Sequence, residues 1–188
     1  VGGGCWFRGS KVHLGGAGIG TGMYGIGGTI RILGGTVKAE GGRETGAGIG
    51  GGDNGAVDSI QIGGKEGEAP EVEASSWNVK YGAAIGSGRN ALLDLKLPCG
   101  TINIFSGNLK VKGNIGYGGI DKNGDNKQIG GSVDISEQVK LKLTDGTIEP
   151  RGTTCTFGKK TFQMTVYDNQ LSDGTYSVKI RFYQEGDT

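Results

Sequence analysis

The sequence predicts an all-β fold, a short right-handed three-sided parallel β-helix closed by a C-terminal antiparallel β-hairpin. Three observations carry the prediction. Gly-Ala-Gly-Ile-Gly at residues 16–20 returns intact at 46–50, as Gly-Ala-Ala-Ile-Gly at 82–86, and more loosely as Tyr-Gly-Gly-Ile at 117–120. Counted on Ile19, Ile49, Ile85 and Ile120, the period is 30 to 36 residues, the mark of an array whose units bury their apolar faces against one another. Between the copies two further alternating runs follow in an order that never changes. The Asn-Gly turns that short antiparallel hairpins need are mostly missing from the repeats.

The elements follow in chain order. Trp6 and Phe7 are expected to cover the N-terminal end, and Val12 and Leu14 to form the third strand of a preceding partial turn. Each Gly-rich strand then leads to a second strand: Thr29–Ile32, Ser59–Ile62, Thr101–Ile104 and Ser132–Ile135. A third strand follows: Thr36–Ala39, Glu71–Ala74, Asn108–Val111 and Gln138–Leu141. Aliphatic residues alternate with polar ones in both families, as half-buried strands require. Glycine serves the corners because sharp bends often need positive φ. About four coils stacked at roughly 4.7–4.9 Å give a cylinder some 20 Å tall, short enough that its ends need covers.

Residues 160–167 and 175–183 are longer alternating strands around a turn-rich connector and read as the capping hairpin. The chain divides into β-helix repeats over 1–150 and a C-terminal β cap, or truncated sandwich strands, over 151–188; Leu171 to Val178 resembles a corner of an immunoglobulin-like sandwich.

Glycine supplies 42 of 188 residues, near the level at which disorder is suspected, but these glycines are periodic and bracket spaced apolar residues. Twenty basic and 19 acidic residues leave a formal net charge of +1. A general nucleic-acid or membrane-surface role lacks its electrostatic drive, and no apolar run reaches the roughly 20 residues of a membrane span. The chain opens on Val1 without Met or a signal-like leader, which reads as a mature or excised segment. Cys5, Cys99 and Cys155 form no CxxC pair and have only His13 for company, which argues against zinc. They read as small buried ladder residues, with one disulfide and a free thiol as the alternative.

Stacking turns each coil position into a column. The corner after the Gly-rich strand carries Met23-Tyr24, Asp53-Asn54, Arg89-Asn90 and then the Asp121–Asn126 stretch. Asp53, Asn54, Arg89 and Asn90 are candidate ligand-binding residues, suited to sugar hydroxyls; the alternative is that such strings simply make turns. Asp121, Asn123 and Asp125 stand at positions 1, 3 and 5 of a calcium loop, so Ca2+ is the candidate ion. The pattern then departs, with Asn126 at position 6 and no Glu at position 12. The opposite corner, leading into the Gly-rich strand, holds Trp77, Tyr81 and Tyr117, whose rings suit the C–H face of pyranoses or pack over the corner. With Ala17 and Ile19 inward, Gly16, Gly18 and Gly20 face outward, as do Gly46, Gly48 and Gly50, giving one flat wall nearly bare of side chains. Catalysis finds thin support. No carboxylate pair has distinctive spacing, and the Gly-x-Gly-like strings precede no helix.

The Gly-Ala-Gly-Ile-Gly-Gly-Gly string at 46–52, with Gly-Gly-Thr-Val-Lys-Ala-Glu-Gly-Gly at 34–42, resembles the glycine-rich repeat of large secreted bacterial proteins. Those repeats are similar to pectin-lyase-type right-handed β-helices and are commonly described as carbohydrate-binding or adhesion-like. The resemblance covers residues 12–143 and brings no catalytic pattern. It implies a non-catalytic glycan-binding or adhesion module, secreted or at the cell surface, whose partner is a polysaccharide rather than nucleic acid or membrane. A polysaccharide lyase or glycoside hydrolase fragment and a structural spacer are the alternatives.

Overall fold

A computed structural model of the chain describes residues 4–6, 13–64, 69–90, 98–118, 131–136, 138–149, 154–157, 160–170 and 176–183. Strands β1 (Gly4–Trp6) and β2 (His13–Gly15) form an antiparallel pair. The first rung is β3 (Ile19–Gly20), β4 (Thr29–Ile32) and β5 (Thr36–Glu40); the second is β6 (Ile49–Gly50), β7 (Ser59–Ile62) and β8 (Glu71–Ser75). The third is β9 (Ile85–Gly86), β10 (Thr101–Ile104) and β11 (Gly107–Lys112). The fourth is β12 (Ile115–Gly116), β13 (Ser132–Ile135) and β14 (Val139–Thr144). β15 (Ile148–Glu149) then extends the Gly-rich sheet, and β16 (Thr154–Phe157), β17 (Lys160–Gln170) and β18 (Tyr176–Tyr183) follow.

Equivalent strands of successive rungs pair in parallel, so the described chain is a right-handed, three-sided parallel β-solenoid. Ile19, Ile49, Ile85, Ile115 and Ile148 stack in one column. Ile30, Ile60, Ile102 and Val133 form a second, and Ile32, Ile62, Ile104 and Ile135 a third. These columns, with Val72, Leu109 and Leu143, make the core. Each fully buried aliphatic side chain contributes about 1.5–3 kcal/mol relative to exposure. The C-terminal hairpin is present: β17 and β18 pair antiparallel, with Val166 opposite Ile180. β18 joins the edge of β14 at Leu143 and Tyr176.

Four sequence expectations change. Leu14 does not belong to a parallel turn, since β2 pairs antiparallel with β1. The fourth Gly-rich strand is Ile115-Gly116, not the stretch ending at Ile120, so the step from Ile85 is 30 residues. The fourth copy of the third strand slips by two, and Leu141 and Leu143, not Val139 and Leu141, lie beside Leu109 and Val111. Side chains alternate with period two, so a two-residue slip keeps the same faces and leaves no trace in the pattern.

The bare wall is the fourth. Gly46, Gly48, Gly50, Gly82 and Gly86 are buried. In three successive rungs the Gly-rich run bends into an arch closed by one backbone bond, from Ala17 N–H to Thr21 O (3.0 Å), Ala47 to Gly51 (2.8 Å) and Ala83 to Ser87 (3.0 Å). In the fourth rung Asn114 Nδ2 donates to Tyr117 O at 3.2 Å. Gly20, Gly50 and Gly86 have φ of 139°, 136° and 139°. A Cβ there would lie 1.8–2.0 Å from the carbonyl oxygen of the next rung's glycine.

Gly50→Ala should therefore cost at least about 3 kcal/mol, since positive φ and collision with backbone act together. Gly22→Ala, whose methyl meets nothing within 4 Å, should change stability by less than about 1 kcal/mol. Urea titration of the two variants checks the contrast, and matching midpoints would refute the role given to the glycine column.

Candidate functional site

The arch brings together two corners that the sequence reading set on opposite sides. Asp53 N–H donates to Gly15 O at 2.8 Å and Arg89 N–H to Thr45 O at 2.9 Å, so the corner after each Gly-rich run rests on the corner before the run one rung earlier. The later corner is a β-turn, closed by Gly25 N–H to Gly22 O (3.1 Å) and Gly55 N–H to Gly52 O (2.9 Å). Its third residue takes positive φ, 58° at Tyr24 and 50° at Asn54, the geometry of a type II turn, where Asn is well tolerated. The turns stack through Tyr24 N–H to Asp53 O (2.9 Å) and Asn54 N–H to Arg89 O (2.7 Å).

Within this junction Asp53 is fully buried. Arg89 Nε donates to Asp53 Oδ1 at 2.9 Å and Nη2 to Oδ2 at 3.4 Å; Asn54 Nδ2 donates to Oδ2 at 2.9 Å. The Thr45 hydroxyl also bonds the carboxylate and accepts from Gly15 N–H at 2.8 Å. The Arg89 guanidinium lies 5.8 Å from the centroid of the Tyr81 ring, within cation–π range. Burial raises the Asp53 carboxyl above its ordinary 3.8, while Arg89, Thr45 and Asn54 pull the other way.

Of the sequence candidates, Asp53, Asn54, Arg89 and Tyr81 thus form one cluster. Asp53, Asn54 and Asn90 are buried, and the first two are tied into the junction by side-chain hydrogen bonds. Arg89 and Tyr81 are partly exposed, and Trp77 is the open one, 58 % exposed. Trp77 precedes a turn in which Tyr81 N–H donates to Asn78 O (2.9 Å) and Asn78 Oδ1 accepts from Lys80 N–H (3.0 Å). Tyr117 follows its Gly-rich strand instead of preceding it, and packs in the core at 7 % exposure. Asp121, Asn123 and Asp125 lie outside the described residues, among which no cluster of three His, Cys, Asp or Glu is placed to hold a metal ion. Cys99 is a buried thiol whose Sγ–H donates to Gly100 O at 3.4 Å, and desolvation pushes it up to about 11.

Sequence reasoning missed Thr45; it placed Tyr24 at the head of the turn column without naming it a candidate, and the residue is exposed there. It also missed the ion pair. The available signal was opposite charge at equivalent repeat positions, Asp53 and Arg89, the same signal that joins Lys38 and Glu73 at 2.9 Å. Comparison with family models, with curated proteins and with solved structures returned no match.

Arg89→Ala strands a buried carboxylate and should cost about 3–5 kcal/mol, measured by chemical denaturation. Because the folded-state pKa of Asp53 is raised, its protonation favours the folded state, a contribution present at low pH and lost as pH rises through that pKa. Melting temperatures taken from pH 3.8 upward should show a shallower dependence in Asp53→Asn than in the parent.

Proposed function

We propose that the chain is a non-catalytic extracellular module that binds glycans or mediates adhesion, in a secreted or surface protein of bacteria. The observation that carries this reading is Trp77: a large aromatic open to solvent, just before the turn that leads to Tyr81. Exposing an indole forgoes its burial, so a solvent-facing ring is suited to stacking on an apolar sugar face. Beyond that turn, Arg89 is tied at once to Tyr81 and Asp53. The resemblance to glycine-rich secreted repeats and to pectin-lyase-type helices supports the same assignment. Calcium at Asp121, Asn123 and Asp125 belongs to the proposal as its metal site.

The enzymatic alternative asks for two carboxylates facing each other across a cleft. The Asp53 carboxylate is enclosed and engaged by Arg89, which favours the binding module over a lyase or glycosidase.

A glycan array followed by titration tests the assignment. Trp77→Ala should weaken binding at least about tenfold, the scale of an aromatic hot spot, with the melting temperature unchanged. Release of shorter products from a polymer would instead mark an enzyme, and silence across the array a spacer. A calorimetric scan with calcium should raise the melting temperature if the metal site exists.

A further inference from the structure

The outer face of the sheet containing β5, β8, β11 and β14 gathers charge that composition conceals. Register sets Asn108 beside Lys140, Lys110 beside Lys142 and Lys112 beside Thr144. All four lysines are exposed, while Leu109, Val111 and Leu143 between them are buried. Four ammonium groups therefore share one side of two adjacent strands, which lie about 4.8 Å apart with same-face residues about 6.6 Å apart along each. Like charges directly opposite one another are destabilising. On its other side Lys110 stands beside Glu73 of β8, but among the described residues the ion pairs found are Lys38 with Glu73 and Arg89 with Asp53. Glu73 is engaged by Lys38 at 2.9 Å, and Glu71 accepts a hydrogen bond from Asn108 Nδ2. A shallow hollow of about 310 Å³ opens between Glu71, Asn108, Lys110, Lys140 and Lys142.

The geometry points to this face as a docking surface for a sulfated polysaccharide. An open sheet face accepts an extended polymer without closing around it, and regularly spaced anions relieve the repulsion between stacked lysines. Lysine is a compact point charge with three rotatable donors, suited to a tetrahedral sulfate; planar carboxylates are matched by the arginine fork, and none of the four exposed positions holds arginine. With a net charge of only +1, the attraction is local, confined within a Debye length of about 8 Å at physiological salt. This surface is separate from the Trp77 corner and stands without the stacking assignment made there.

Retention of the 188-residue chain on immobilised dextran sulfate tests the inference. The parent should bind at low salt and elute with sodium chloride. Lys110→Gln/Lys142→Gln should lose about tenfold or more in affinity and melt within a few degrees of the parent, since the repulsion between Lys110 and Lys142 and the attraction of Lys110 to Glu73 are removed together. Lys38→Gln, on the same sheet but already paired, and Trp77→Ala should bind as the parent does. Failure of the parent to bind, or undiminished binding by the double variant, overturns the docking surface. Equal affinity for polygalacturonate or duplex DNA overturns the assignment to sulfated glycans.

Discussion

Close approach of backbone to backbone along the Gly20, Gly50, Gly86 and Gly116 column is the constraint on which the rest of the structure depends. Each of these residues has positive φ, and the first three turn the face where a side chain would stand toward the carbonyl of the next rung. Only a residue without Cβ fits. Glycine loses more conformational freedom on folding than any other residue, so this composition would by itself favour a disordered chain. Continuous columns of buried isoleucine and unbroken parallel ladders offset that loss.

The same absence of side chains lets each Gly-rich run arch until its two flanking corners touch. This closes the flat wall that alternation alone would leave open, and it draws Asp53 inside. A carboxylate enclosed in this way is tolerable only with its donors in place, and Arg89, Asn54 and Thr45 supply them from one rung above and from the same rung. Arg89 then reaches outward to Tyr81. The polar residues that look like surface ligands in the sequence thereby become a mount, and the neighbouring aromatics are what solvent meets.

Charge follows a related logic. Stacked repeats set equivalent positions side by side, so the sign at each position decides whether a column is self-neutralising or self-repelling. Lys38 over Glu73 and Arg89 over Asp53 neutralise; Lys110 beside Lys142 does not. A chain nearly neutral overall can therefore carry a local cluster of lysines on one face.

Period and alternation were enough for the sequence to determine the architecture. The recurring Ile-Gly pair, the two alternating strand families and their fixed order specify a three-sided parallel coil, because only stacking buries one apolar face per unit. The C-terminal hairpin was legible for the same reason. The candidate site was legible in its membership but not in its arrangement. Tyr81, Asp53, Asn54 and Arg89 could be named, whereas their union at one junction depends on an arch that glycines permit and do not encode. Tertiary structure alone chose Ile115 over Ile120 and moved the fourth rung by two residues, since a period-two pattern is unchanged by such a slip. That choice of register sets Lys110 beside Lys142 instead of Lys140. Local sequence determines which face a side chain takes, and only the packed coil decides which side chain stands next to it.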